Sequence, residues 1–125
     1  MRTSLQTLHH RYQEWTGELE FYKQELNLLK SRLEEVAQKN TAANVLVQIE
    51  HFQNKFVIES EQLDILKHDI RIQLDHTEKQ IKDRPEHTNE KSVIDDDALT
   101  NRLERFKELF AMLRLEFNKF LSATL

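Results

Sequence analysis

The residue types that bind divalent metals occur in two places along the chain. His9 and His10 are adjacent near its start, and His68, Asp75 and His76 follow in a later segment. Imidazole nitrogens and carboxylate oxygens are ligands of zinc and related ions. Adjacent helical residues point about 100° apart, however, and the chain has no Glu-x-x-His pair of the kind that di-iron bundles use. We therefore predict solvated histidines and no cofactor, with a metal-binding bundle as the alternative.

Other routes to catalysis find no support in the composition. The absence of Cys excludes disulfides, cysteine zinc sites and thiol nucleophiles. One Gly in 125 residues leaves no material for a glycine-rich phosphate loop, and no Ser belongs to a His and Asp constellation. A net charge of -4 gives no bias toward nucleic acid or anionic membranes. We predict a protein that is not an enzyme and binds neither nucleic acid nor membrane.

The same composition predicts few, long helices. One Gly and one Pro cannot supply the turns of a strand-rich fold. The high charged content, 32%, against 38% hydrophobic residues suits helices with a narrow apolar seam. No apolar run approaches the ~20 residues of a membrane span, and no basic leader precedes the first segment. We expect a soluble, cytoplasmic protein.

Apolar residues recur at alternating spacings of three and four along three segments, which is the heptad pattern of coiled coils. The segments predict helices over about 4–38, 42–82 and 93–122, in a single domain covering 1–125. Asn40 or Thr41 is expected to cap the second helix, and Ser92 with Asp95 to form a capping box for the third. Short connections favour antiparallel neighbours. We predict an all-α, elongated, coiled-coil-like three-helix bundle with up-down-up topology. The seam positions are Leu5, Leu8, Tyr12, Trp15, Leu19, Tyr22, Leu26, Leu29, Leu33 and Val36, then Val45, Ile49, Phe52, Phe56, Glu59, Leu63, Leu66, Ile70, Gln73 and Thr77, then Leu99, Leu103, Phe106, Phe110, Leu113, Phe117 and Phe120.

Glu59 is the one acidic residue in a seam. Counting outward from the centre of the first turn places Glu59 level with Tyr22, and His9 level with Ile72. A buried carboxylate costs free energy unless it is paired. One hypothesis is a functional acid with a raised pKa. The favoured interpretation is a buried polar residue that sets helix register, with Tyr22 as its partner.

A surplus of apolar residues lies outside the seams. Ile58, Ile65 and Ile72 recur every seven residues at heptad position c of the second helix. An apolar stripe that the bundle does not cover marks a surface for another protein. We predict that these three residues are an interface, either for self-association as a homodimer or for a partner helix. A wider internal core is the alternative. Further surplus residues are Phe21, Leu28, Met112, Leu115 and Leu121.

Three resemblances complete the sequence evidence. Trp15-Thr16-Gly17 resembles the Trp-x-Gly motif of WXG-like secreted effectors, which implies export and a helical hairpin that turns at the motif. The stretches WTGELEFYKQE, RLEEVAQKN and VLVQIEHFQNKF resemble small uncharacterised helical-bundle proteins of Bacteroidetes-type bacteria, for which the resemblance implies no activity. LTNRLERFKELF is similar to the heptads of spectrin-type repeats, which implies architecture alone.

Overall fold

Three long helices account for nearly all of the described chain. The computed structural model describes residues 2–83, 92–94 and 97–124. Strand β1 (Arg2–Ser4) precedes helix α1 (Leu5–Lys39) and helix α2 (Ala43–Asp83), and strand β2 (Ser92–Ile94) precedes helix α3 (Asp97–Thr124). Helix α2 packs against both α1 and α3. The predicted all-α three-helix bundle is confirmed. Among the described helices, none is both long and apolar enough to cross a membrane.

The helix ends lie close to their predicted positions and are closed by hydrogen bonds from nearby residues. Helices α1 and α2 begin and end one residue after their predicted bounds. Asn40 does not cap α2; its side-chain amide donates to the Val36 carbonyl oxygen at 2.8 Å and closes the end of α1. The first backbone bonds of α2 are accepted instead by the Ala42 carbonyl.

A short β ladder, which the heptad pattern did not predict, replaces the first turn expected of helix three. Strands β1 and β2 pair antiparallel, with Ser4 opposite Ser92. Because Ser92 lies in β2 and α3 begins at Asp97, Ser92 is not the cap of α3; Asp95 lies outside the described residues. Ser4 caps α1, since its hydroxyl oxygen accepts from the Thr7 backbone N–H at 3.1 Å.

The seams meet along one axis and form the core. Every seam position of α3 is buried, as is most of each other seam, while Trp15 and Tyr22 are partly buried. Aromatic rings of α2 and α3 interlock at one end, where Phe117 lies 5.3 Å from Phe52 and 5.2 Å from Phe56, centroid to centroid. The core is one side chain thick, so the packing of each ring matters to stability.

The helices are shifted along each other relative to the predicted levels. His9 Nδ1 lies 2.9 Å from the Thr77 hydroxyl, so His9 is level with Thr77 rather than Ile72. Helical side chains lean toward the N-terminus of their own helix. In an antiparallel pair, the side chains of the two helices lean in opposite directions. Two side chains that touch therefore belong to residues farther toward the C-terminus of each helix than two residues whose Cα atoms are level. Counting from the turn omitted that displacement.

Helix α1 passes through Gly17 without a break. The Trp15-Thr16-Gly17 stretch is therefore not a turn, and the hairpin expected of a WXG-like effector is absent from α1. Apart from its chain neighbours and the backbone of its own helix, a Cβ atom added at Gly17 would meet no atom of the described residues within 4 Å.

Replacing Gly17→Ala should raise the free energy of unfolding by about 1 kcal/mol, because Gly is a poor helix former at an exposed interior position. Urea denaturation followed by circular dichroism measures this. Gln24→Ala, at another exposed site of α1, is the control and should change stability by only a few tenths of that amount. A destabilised Gly17→Ala protein would mean that an added Cβ atom clashes within the folded chain, contrary to the open space around Gly17.

Candidate functional site

The isoleucine stripe, Ile58, Ile65 and Ile72, lies on the surface of α2. The three side chains are 51%, 50% and 50% exposed. Position c lies two residues after the seam residue at position a. Two residues turn the helix by about 200°, so a side chain at position c points away from the core. The stripe covers about 20 Å of helix at ~1.5 Å per residue.

Ion pairs show which neighbour the stripe adjoins. Lys67 of α2 bonds Glu20 of α1 at 2.7 Å, and this strong contact lowers the pKa of Glu20. On the other side of α2, Asp69 bonds Arg102 of α3 at 2.7 Å. Around a helix, position c lies next to position g, which Asp69 occupies. The isoleucine stripe therefore borders the groove between α2 and α3, which we call the α2/α3 groove.

The α2/α3 groove contains an open cavity of about 300 Å³. Leu66 of α2 and Leu109 of α3 both contribute apolar side chains to its lining. A second cavity of about 200 Å³, which includes Ile72, follows where α3 begins. The first cavity is lined by Glu59, Gln62, Leu66, Asn101, Arg102, Arg105, Phe106 and Leu109, and the second by Asp69, Ile72, Gln73, Leu99 and Arg102.

Glu59 places a carboxyl group in the wall of this groove. The residue is 8% exposed, and its Oε2 atom has no hydrogen-bond partner within the described part of the chain. Burial raises the pKa of Glu59 above its ordinary value of 4.5, and the positive charge of Lys55 opposes that rise. The environment therefore favours the neutral acid, or a donor supplied from outside.

Tyr22 is not the partner of Glu59. Its ring packs edge-on against two α3 side chains, with centroid distances of 4.9 Å to Phe110 and 5.5 Å to Phe106. No hydrogen bond joins Tyr22 to Glu59 within the described residues. Counting from the first turn considered only pairs between α1 and α2, whereas the partly buried Tyr22 faces α3.

The two walls of the groove differ in charge. Glu59 and Asp69 belong to α2, whereas Arg102 and Arg105 belong to α3. Arg102 is neutralised by Asp69, while exposed Arg105 makes no ion pair with any described residue. The heptad pattern did not single out these arginines, because it does not say which helix faces positions c and g of α2.

The candidate metal ligands do not converge. His9 bonds Thr77, Nε2 of His10 lies 2.8 Å from Gln6, and Nε2 of His76 lies 2.9 Å from Gln80. Asp75 pairs with Arg71 one turn away at 3.3 Å, and His68 is exposed on α2. Within residues 2–83, 92–94 and 97–124, no three His, Cys, Asp or Glu side chains could hold one ion. Among the described residues, the candidate ligands are thus not brought together into one site.

The remaining surplus apolar residues divide into two groups. Phe21, Leu28, Met112 and Leu115 are exposed, whereas Leu121 is partly buried against the core. Met112 occupies position c of α3, one helical turn from Leu109 of the groove, and so extends the apolar surface of the α3 wall. Leu121 contributes to the internal core instead.

Replacing Glu59→Leu should stabilise the protein at pH 7 and much less at pH 4. A carboxyl group with a raised pKa contributes stability that is complete below the unfolded value and is lost as pH rises through the folded value. Removing the unpartnered group should raise the free energy of unfolding by about 1–3 kcal/mol at pH 7. Denaturant titrations of both proteins at the two pH values measure the difference.

Glu61→Leu, on the exposed side of α2, is the matched control and should change stability little at either pH. A Glu59→Leu protein that is less stable than wild type at pH 7 would show that the ionised carboxylate is already satisfied in the folded chain.

Comparison with known proteins assigns the chain to no family. No protein-family model, no curated protein and no solved structure matches it. The resemblances to Bacteroidetes-type helical proteins and to spectrin-type repeats stay predictions, and function has to be argued from the groove and its stripe.

Proposed function

We propose that this protein is a non-enzymatic interaction module that acts by docking a helix against its isoleucine stripe. The observation that supports this is the half exposure of Ile58, Ile65 and Ile72 at a constant spacing of seven residues. A second helix that crosses at the shallow angle of coiled coils would contact all three in succession. The occupant is either a second copy of the chain or a helix of another protein.

The regularity of the stripe supports docking over chance exposure. Single exposed apolar side chains are ordinary in folded proteins, because polar surface does not suffice to cover them. This row keeps one heptad position, beside a groove whose lining includes Leu66, Phe106 and Leu109, and a constant spacing of this kind matches the contact positions of a docked helix. The lack of Cys fits a reducing, cytoplasmic setting for that interaction.

Ile65→Glu should abolish association while leaving helicity unchanged, because a carboxylate in the centre of an apolar interface would be desolvated without a partner. Sedimentation velocity over a range of concentrations measures self-association, and circular dichroism checks the fold. Val57→Glu is the matched control: Val57 is 51% exposed but lies at position b, away from the groove.

If wild type and Ile65→Glu form the same oligomer, the stripe is not a self-association surface. A wild-type protein that stays monomeric at every concentration would contradict the second-copy version and leave a partner helix as the occupant.

A further inference from the structure

We infer that the α2/α3 groove receives an amphipathic helix of a different protein, and that Glu59 selects a helix carrying one Lys or Arg within its apolar face. This inference rests on the proposed docking function and adds the identity of the occupant and the chemistry that recognises it.

The extent of the apolar surface favours a helix in the groove over a second copy. A stable protein dimer buries about 800 Å² per partner. Three half-exposed isoleucines cannot provide that area. Two copies that oppose stripe to stripe about a two-fold axis would leave both grooves unfilled. A single helix in the groove contacts the stripe on one wall and Leu109 and Met112 on the other.

Glu59 sets the condition that such a helix must meet. Its Oε2 atom is buried without a partner in the described chain, and the residue lines the groove cavity. A docked helix would remove the water that still reaches the 8% exposed residue. An apolar residue opposite Glu59 would leave the carboxyl group fully desolvated, which is costly. A Lys or Arg would place its positive charge beside the carboxyl group that lines the groove and could donate a charge-assisted hydrogen bond to it.

Arg105 gives the docked helix a preferred orientation. It lies on the α3 wall, is exposed, and has no ion pair with a described residue, whereas its neighbour Arg102 already pairs with Asp69. An acidic residue on one flank of the partner helix would pair with Arg105. Rim pairs of this kind contribute more to orientation and specificity than to affinity.

The test is a selection from a displayed library of amphipathic helices long enough to span the groove, randomised at one apolar-face position and at the two flanks. The full chain serves as the target, as wild type and as Glu59→Leu, Arg105→Glu, Ile65→Glu and Val57→Glu. Wild type should enrich Lys or Arg at the apolar-face position and Asp or Glu at one flank.

The variants separate the contributions of the groove residues. On Glu59→Leu the apolar-face position should return to Leu, Ile or Met. On Arg105→Glu the acidic flank should become basic. Ile65→Glu should retain no binder, and Val57→Glu should select the same helices as wild type. For one selected peptide, changing its central Lys to Leu should weaken binding to wild type roughly tenfold to one-hundredfold by calorimetry, and should not weaken binding to Glu59→Leu.

The outcomes distinguish this inference from the proposed function. Enrichment of the same residue on wild type and on Glu59→Leu overturns the role of Glu59, while loss of binders on Ile65→Glu still supports docking. An oligomer that Ile65→Glu dissociates, together with no enriched helix, makes a second copy the occupant and overturns the inference alone. If Ile65→Glu changes neither the selection nor the oligomeric state, both proposals fail.

Discussion

Burial of three heptad seams along one axis is the constraint on which the rest of the structure depends. Each helix exposes far more surface than it hides, so the apolar side chains at positions a and d must all point inward at once. The described chain has no layer behind them, and the only strands form a three-residue ladder at one end. Once the seam residues point into the core, the heptad position of every other residue determines its environment. Residues at e and g meet neighbouring helices, and residues at b, c and f are left to solvent.

Within the bundle, the polar residues at e and g organise the contacts between helices. Glu18 pairs with Lys107 and Glu25 with Arg114 across the parallel α1 and α3 helices, at 2.8 Å and 3.6 Å. Exposed pairs of this kind contribute up to about 1 kcal/mol each, so they direct alignment rather than hold the bundle together. Stability resides in the apolar seams. The interlocked rings of Phe52, Phe56 and Phe117 are the clearest example.

Glu59 stands against this constraint, because it occupies a seam position without giving the core an apolar side chain. Its carboxyl group is buried at an unfavourable free energy where α2 faces the groove to α3, beside Gln62 and Leu66. The isoleucine stripe follows the same groove. Under our proposal, one partner helix would cover the apolar row and supply a donor to the unpartnered carboxyl group. That coincidence is the basis of the functional proposal.

Local sequence determined the helices, their seams and the exposure of Ile58, Ile65 and Ile72, because all three follow from the period of the α-helix and the spacing of apolar residues. It also identified Glu59 as a buried acid. Tertiary structure alone decided which groove the stripe borders, since that depends on whether α3 packs to the left or right of α2, and no heptad pattern encodes this choice. It likewise paired Tyr22 with Phe106 and Phe110, and His9 with Thr77. Those pairings depend on the direction in which side chains lean and on the path of the connections between helices. The spacing of apolar residues within a single helix contains no information about either.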